Sequence, residues 1–246
     1  TAGQTTNYGY DPLDQRITKT NAGTTSPYFY DEQGHLTGEY NASGQLIQEI
    51  IWLGDLPVAV LKPSTSAATT DIYYIHADHL GTPRKITRPS DNRVVWSWES
   101  EAFGNSLPDQ NPAGLGTFVF NLRFPGQYYD AETGLHYNME RYYNTQIGRY
   151  DQSDRIGLRG GINTYTYVSN NPLRYIDSFG LTQYDINVAR ELAVESQLDL
   201  SFPGSYKVMN LGKTEDGGEI LGNTLPGVGT QLDDQYLKSL TNSAAA

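Results

Sequence analysis

Gly9-Tyr10-Asp11-Pro12-Leu13-Asp14-Gln15-Arg16-Ile17-Thr18 is answered further along by Phe29-Tyr30-Asp31-Glu32-Gln33-Gly34-His35-Leu36-Thr37. Each copy opens on an aromatic-Asp pair, passes through a tight turn and enters an alternating run at Ile17 or Leu36. An aspartate can bond its own backbone a few residues on, and a turn Gly supplies positive φ, so both copies read as hairpins. Tyr40-Asn41-Ala42-Ser43-Gly44-Gln45-Leu46-Ile47 is a third, looser copy. Repeats of this length imply stacked hairpins, each needing its neighbours to bury a face.

Working outward, Ile50 to Leu61 reads as two strands about a Gly54-Asp55 turn. Lys62 to Thr70 is small and polar, hence a loop. Asp71 to His76 resumes a strand, and Arg84–Thr87 with Arg93–Trp98 makes a hairpin across Pro89-Ser90-Asp91-Asn92. A second loop runs from Pro108 to Gly116. Between Phe124 and Tyr167 turns come quickly and tyrosines punctuate them, as cross-strand pairs or core. Helical spacing is hard to find before residue 182, so the first 181 residues are expected to be mainly β.

Composition narrows the function. Only 37% of the residues are hydrophobic, but 19 tyrosines bury ring area while keeping a polar tip. A net charge of −11 argues against holding nucleic acid through phosphate neutralisation, and equally against an anionic membrane surface. Without cysteine there is no disulfide framework and no thiolate metal site. No apolar run is long enough for a membrane span. The opening Thr1-Ala2-Gly3-Gln4 has neither initiator Met nor signal peptide, as expected of a piece of a longer chain.

The character changes across Asn170-Asn171-Pro172-Leu173-Arg174-Tyr175-Ile176-Asp177-Ser178-Phe179-Gly180-Leu181. Beyond it, Ile186, Ala189, Leu192, Ala193 and Ser196 predict an amphipathic helix from about Tyr184 to Leu198, ended by Pro203-Gly204. The rest is Gly-rich and polar, with short strands and loops at best, so residues 182–246 form a short α+β or irregular segment. It contains no His, so a His-Glu-x-x-His zinc motif is missing there.

Residues 8 to 181 resemble the end of an RHS/YD-repeat protein, the family of rearrangement-hotspot polymorphic toxins and insecticidal C components. Several motifs carry the resemblance in order: Tyr73 to Arg84, containing His76-Ala77-Asp78-His79-Leu80-Gly81-Thr82-Pro83; Gly126 to Asn138 with Arg141-Tyr142-Tyr143; Gly148 to Leu158 with Gly160 to Tyr165; and Pro172 to Leu181. The resemblance implies a β-sheet shell, residues 1–181, whose remainder is supplied elsewhere in the parent protein. It implies that residues 182–246 begin a variable toxin, an enclosed cargo, and here an incomplete one. It further implies cytoplasmic synthesis, secretion or delivery to a target cell through an apparatus of the type VI kind, and an immunity protein as partner.

The closing motif of that family, Pro-x4-Asp-Pro-x-Gly-Leu, works as an aspartic-type self-cleaving site. Here it maps onto Pro172, Asp177, Gly180 and Leu181, with the scissile bond at Leu181–Thr182. Such chemistry needs two carboxylates sharing a proton, and the partner expected for Asp177 is Asp154, with Asp151 as fallback. No cofactor and no metal is needed. Ser178 stands in the place of the motif's Pro, and Arg155 in the place of the Pro of a second Asp-Pro, which removes two fixed φ angles. Arg155 is also expected to favour an ionised Asp154.

Plainer readings stand beside these. Read from spacing alone, Asp177 is a turn former like Asp11 and Asp31. His76 and His79 form a His-x-x-His pair with no third ligand near, which favours structural packing over metal. A non-cleaving encapsulating carrier or cell-surface binding module is the alternative to a self-cleaving shell.

Overall fold

The structure, a computed structural model, describes residues 5–64, 69–181, 183–185, 208–213 and 219–223. It divides into two compact units, Thr1–Gln183 and Tyr184–Ala246. Among the described residues there is no α-helix, and no helix is long and apolar enough to cross a membrane.

The first unit is built on a nine-stranded sheet: β1 (Thr6–Tyr10), β2 (Arg16–Asn21), β3 (Thr24–Tyr30), β4 (Leu36–Tyr40), β5 (Leu46–Leu53), β6 (Leu56–Pro63), β7 (Thr70–Ala77), β8 (Pro83–Arg88) and β9 (Arg93–Ser97). The strands lie in chain order and every neighbour is antiparallel, so the sheet is one continuous meander. The expected hairpins about Gly54-Asp55 and Pro89–Asn92 are both present.

The repeat has a specific physical cause. Asp11 Oδ1 accepts the backbone amides of Leu13 and Gln15, both at 2.9 Å. Asp31 does the same for Gln33 and His35, Asn41 for Ser43 and Gln45, and Asp78 for Leu80 and Thr82. The fourth residue of each turn is left-handed: Asp14 (φ 58), Gly34 (φ 84), Gly44 (φ 73) and Gly81 (φ 89). One carboxylate or amide oxygen thus satisfies two amides that the turn would otherwise leave bare, and Gly meets the positive φ without a Cβ clash.

Alternation sorts the two faces of the sheet. Ile50 opposes Val60, and Ile86 opposes both Ile75 and Trp96; all are buried. Phe29, Ile51, Leu53, Ile72 and Tyr74 point to the other face and are exposed. The buried face meets a smaller four-stranded antiparallel sheet, β10 (Tyr128–Asp130), β11 (Leu135–Asn138), β12 (Arg141–Asn144) and β13 (Arg149–Tyr150). The tyrosines are core and cross-strand partners: Tyr128 faces Tyr137, Tyr137 faces Tyr142, and Tyr143 faces Tyr150. Tyr143, Tyr150 and Tyr167 pack against one another edge-on or tilted, with ring centroids 4.4 to 5.9 Å apart.

A buried ion pair clamps the two sheets. Arg16 of β2 forks onto Asp130 of β10 at 2.8 and 2.6 Å, while its guanidinium lies 4.0 Å from the Tyr137 ring centroid. Lys19 Nζ also donates to Asp130 Oδ1 at 3.1 Å, so it is the loss of Asp130 that would strand a buried charge, that of Arg16.

After β13 come two short 3-10 turns, Gly157–Gly160 and Val168–Asn170, and then β14 (Tyr175–Ile176). In the second unit the start of the expected helix is corrected: Tyr184–Asp185 is a short strand, β15. The rest of that helix, from residue 186, lies outside the described residues. β16 (Val208–Lys213) and β17 (Glu219–Asn223) pair antiparallel, in keeping with the short strands read from this Gly-rich stretch.

The turn chemistry predicts a stability difference. Asn41→Ala is expected to cost about 1–2 kcal/mol, for two amides losing one acceptor, while Asn41→Asp keeps the acceptor and costs less. The midpoint of urea unfolding of the two variants checks this.

Candidate active site

The site is assembled from one strand end and three turns. Met139 (φ 51) and Glu140 form a two-residue turn between β11 and β12, which sets Asn138 opposite Arg141 in register. Residues so paired project from the same face of the sheet, and here both side chains are buried, at 0% and 3% exposure. Arg141 lies 3.6 Å from the Tyr150 ring centroid, a cation held flat on an aromatic face.

Four groups from distant parts of the chain converge on Arg141. Its Nε donates to the Gly180 carbonyl in a short bond, and Nη1 donates to the Thr164 carbonyl at 3.1 Å. Its Nη2 lies 3.0 Å from Asp154 Oδ2 and donates to Asp177 Oδ2 at 3.1 Å. Asp177 directly follows β14, and Asp154 sits in the turn after β13. Both carboxylates are buried.

Each aspartate uses its two oxygens differently. Asp177 Oδ1 accepts the Leu181 amide at 2.9 Å, and Asp154 Oδ1 accepts the Ile156 amide at 2.9 Å. These are the turn-forming bonds of the repeat again. The Oδ2 atoms turn inward to Arg141, and Asp177 Oδ2 also accepts the Tyr150 hydroxyl at 2.9 Å. Asn138 Nδ2 donates to the Tyr150 oxygen at 2.7 Å and to the Asp177 carbonyl at 2.9 Å.

Charge balance governs what this cluster can do. Two ionised carboxylates beside one guanidinium leave one negative charge in excess in a buried place, and a single proton removes it. Burial is the main cause holding Asp177 above the ordinary carboxylate range; Arg141, the Tyr150 hydroxyl and the Leu181 amide pull it down, and the Asp154 charge adds to the rise. Burial, reinforced by the Asp177 charge, pushes the Tyr150 phenol well above its usual value and keeps it a donor. A pair of acids holding one proton between them can serve as base and acid in one step.

Glycines bring the closing segment this near. A Cβ on Gly180 (φ 68) would lie 2.4 Å from the Asn138 carbonyl oxygen, and one on Gly126 (φ 81) would lie 2.0 Å from the Ser178 carbonyl oxygen. A Cβ on Gly160 would meet Asp154 Oδ2 at 2.5 Å and the Leu181 carbonyl oxygen at 3.1 Å. The carbonyl of Leu181 and the carboxylate of Asp154 therefore crowd the same side of Gly160. Pro172 is buried at the entry to the segment, and His79 bonds the Leu173 carbonyl at 3.0 Å.

The other sequence candidates fall elsewhere. Asp151 is exposed and takes a bond from Asn144, away from the cluster. Arg155 does not face Asp154, as the sequence reading had it. Its exposed guanidinium bonds Asp14 at 2.7 Å and Glu140 at 2.9 Å, because the turn directs residues 154 and 155 to opposite sides. Arg141 occupies the role of the cation instead. His76 bonds Thr87 at 2.9 Å while His79 holds Leu173, so the two rings serve different contacts. Thr182 lies outside the described residues. Arg141, Tyr150 and Asn138 are site residues the sequence reading did not single out. The one available signal was a charged residue inside an aromatic strand run, Arg141-Tyr142-Tyr143.

Two alanine substitutions separate steric from backbone strain. Gly134 has a similar φ of 72, yet a Cβ there would meet nothing within 4 Å. Gly134→Ala is expected to cost about 1–2 kcal/mol, the left-handed penalty alone. Gly180→Ala adds an overpacking cost of roughly 1–3 kcal/mol. Chemical-denaturation midpoints measure the gap.

The Teneurin YD-shell family profile matches residues 2–173. Among curated proteins, the chain is 36% identical over 137 residues to putative uncharacterized protein YibJ of Escherichia coli K12, covering 56% of this chain and 57% of that one. It is 30% identical over 199 residues to double-stranded DNA deaminase toxin A of Burkholderia cenocepacia H111, covering 72% of this chain and 14% of the toxin. It thus spans little more than half of the first relative and a small part of the second. Among solved structures, the TcdB2-TccC3 crystal structure superposes on 74% of this chain and 9% of its own, with TM-score 0.52 and 22% identity, a likeness of fold. The nine-strand meander, its Asp-capped turns and these matches agree: the chain belongs to the Teneurin YD-shell family, as a shell of the RHS/YD-repeat polymorphic-toxin kind.

Proposed function

We propose that this unit is the closing part of a toxin shell that encloses the segment after it and frees that segment by one intramolecular hydrolysis at Leu181–Thr182. The observation that carries the reading is the hold on Leu181. Its amide is bonded to Asp177, and its carbonyl shares the face of Gly160 with Asp154. The bond to be cut is thereby tethered to the groups that would cut it, and intramolecular positioning of this kind can replace much of the entropy cost of a bimolecular attack.

The reaction balances with the residues present. A water oxygen bonds to the Leu181 carbonyl carbon as one carboxylate of the pair takes a water proton. The other carboxyl gives its proton to the carbonyl oxygen. Collapse then breaks the C–N bond, and a proton passes to the Thr182 nitrogen, leaving a Leu181 carboxylate and a free amine. No cofactor or metal enters these steps.

Release of a toxic segment fits the relative from B. cenocepacia, a double-stranded DNA deaminase toxin. On this reading the protein acts in interbacterial or host-directed antagonism, leaves the producing cell by a secretion apparatus and is paired there with an immunity protein. Its shell is completed by the rest of its own parent chain.

Intact mass and gel analysis of the purified 246-residue chain, beside Asp177→Asn and Asp154→Asn, tests the reading. Two fragments from the parent, parted after Leu181, and one band from each variant are expected. A single band from the parent as well would leave a non-cleaving carrier or a surface-binding module.

A further inference from the structure

Two departures from pattern meet in one bond. The fourth residue of the capped turns is Gly at 34, 44 and 81, where positive φ brings no Cβ clash, but it is Asp14 in the first turn, at φ 58. The turn itself is unchanged. Asp14 donates its amide to the Asp11 carbonyl at 3.1 Å, as Gly34 does to Asp31 and Gly81 to Asp78, both at 3.0 Å. The backbone there asks for no side chain, and carrying one in the left-handed region strains it. The side chain that is kept reaches Arg155, which stands where the second Asp-Pro would have its Pro. Arg155 Nη1 donates to Asp14 Oδ2 at 2.7 Å and to Glu140 Oε2 at 2.9 Å.

Both carboxylates of this bridge belong to anchored turns. The Asp14 carbonyl accepts the Tyr137 hydroxyl at 2.8 Å, and the Tyr137 oxygen accepts the Arg16 amide at 2.9 Å, which pins the first turn to β11. Glu140 lies in the turn between β11 and β12, and its amide donates to the Phe179 carbonyl of the closing segment at 3.4 Å. Arg155 directly follows Asp154, whose Oδ2 lies 3.0 Å from Arg141 Nη2. The bridge therefore ties the turn that carries Asp154 to the first hairpin and to the strand pair that carries Arg141.

We infer that Arg155 is a positioning residue for Asp154, a side-chain tether through Asp14 and Glu140 in place of a fixed φ. This rests on the cleavage reading above and deepens it. Arg155 touches no reacting atom and exchanges no proton; it restrains the turn from which the Asp154 carboxylate projects to Arg141. The side chains of Arg155 and Asp14 are 66% and 46% exposed, so the tether changes the rate a few-fold and weakens as salt screens it.

The experiment follows appearance of the Leu181 fragment in full chain made by cell-free synthesis, at about 0.1 M and about 1 M salt. Asp14→Gly gives the first turn the residue its other copies carry. Its urea unfolding midpoint is expected to hold or rise, the strain relieved offsetting the exposed pair lost, while cleavage at the lower salt slows roughly two- to fivefold. Arg155→Met, which also frees Glu140, is expected to slow cleavage at least as much, and Arg155→Lys to recover most of the rate. High salt is expected to bring the parent towards the rate of Asp14→Gly and Arg155→Met and to leave those two level. Variants that cleave as fast as the parent at the lower salt, or that slow only as far as their unfolding midpoints fall, would overturn the inference and leave the cleavage reading standing. A parent chain that is not cut at either salt would overturn both.

Discussion

One buried guanidinium holds the end of this shell together. Arg141 bonds the carbonyls of Thr164 and Gly180 and faces the carboxylates of Asp154 and Asp177, while its flat side rests on Tyr150. A guanidinium at 3% exposure is tolerable only where charge and hydrogen bonds are both met, and these groups meet them. The converse matters as much. Without Arg141 two carboxylates would face each other in an apolar place, and the closing segment would lose its tie to β12. The same cation that makes the segment dock also leaves a single surplus negative charge, the condition under which a pair of acids carries one proton.

The aspartates illustrate how a structural habit becomes a site. Throughout the meander an Asp or Asn oxygen caps the amides two and four residues on, as Asp11, Asp31, Asn41 and Asp78 do. Asp177 caps the amide of Leu181 by the same four-residue step, and Asp154 caps Ile156 by the two-residue one. What distinguishes them is the second oxygen. In Asp177 and Asp154 it is buried and turned towards Arg141, whereas Asp31 spends it on the half-buried His35 ring and Asp78 on Arg84. Turn former and candidate acid are therefore two uses of one side chain.

Much of this was legible in the residues. The aromatic-Asp turns forecast the meander, because the capping bond and the left-handed fourth position are local and write themselves into the chain as Asp and Gly. The closing motif, read through its family resemblance, pointed to Asp177 and Asp154, and the structure brings their carboxylates to one nitrogen. Arg141 was hidden for a physical reason. It lies 36 residues from Asp177, and only the β11–β12 turn and the stack on Tyr150 aim it inward. Arg155 does not serve as the cation beside Asp154, because adjacency in sequence says nothing of side-chain direction in a turn: its guanidinium points outward to Asp14 and Glu140. Tyr150, whose hydroxyl bonds Asp177, is in sequence indistinguishable from the other tyrosines that pack in the core.

The central claim is that water, activated by this pair of acids, cuts the chain after Leu181. Synthesis in water enriched in heavy oxygen, followed by mass spectrometry of the amino-terminal fragment, tests it most directly. The account predicts a fragment ending in Leu181 whose new carboxylate carries one heavy oxygen. A fragment ending at any other residue, or a Leu181 terminus without the label, would contradict it.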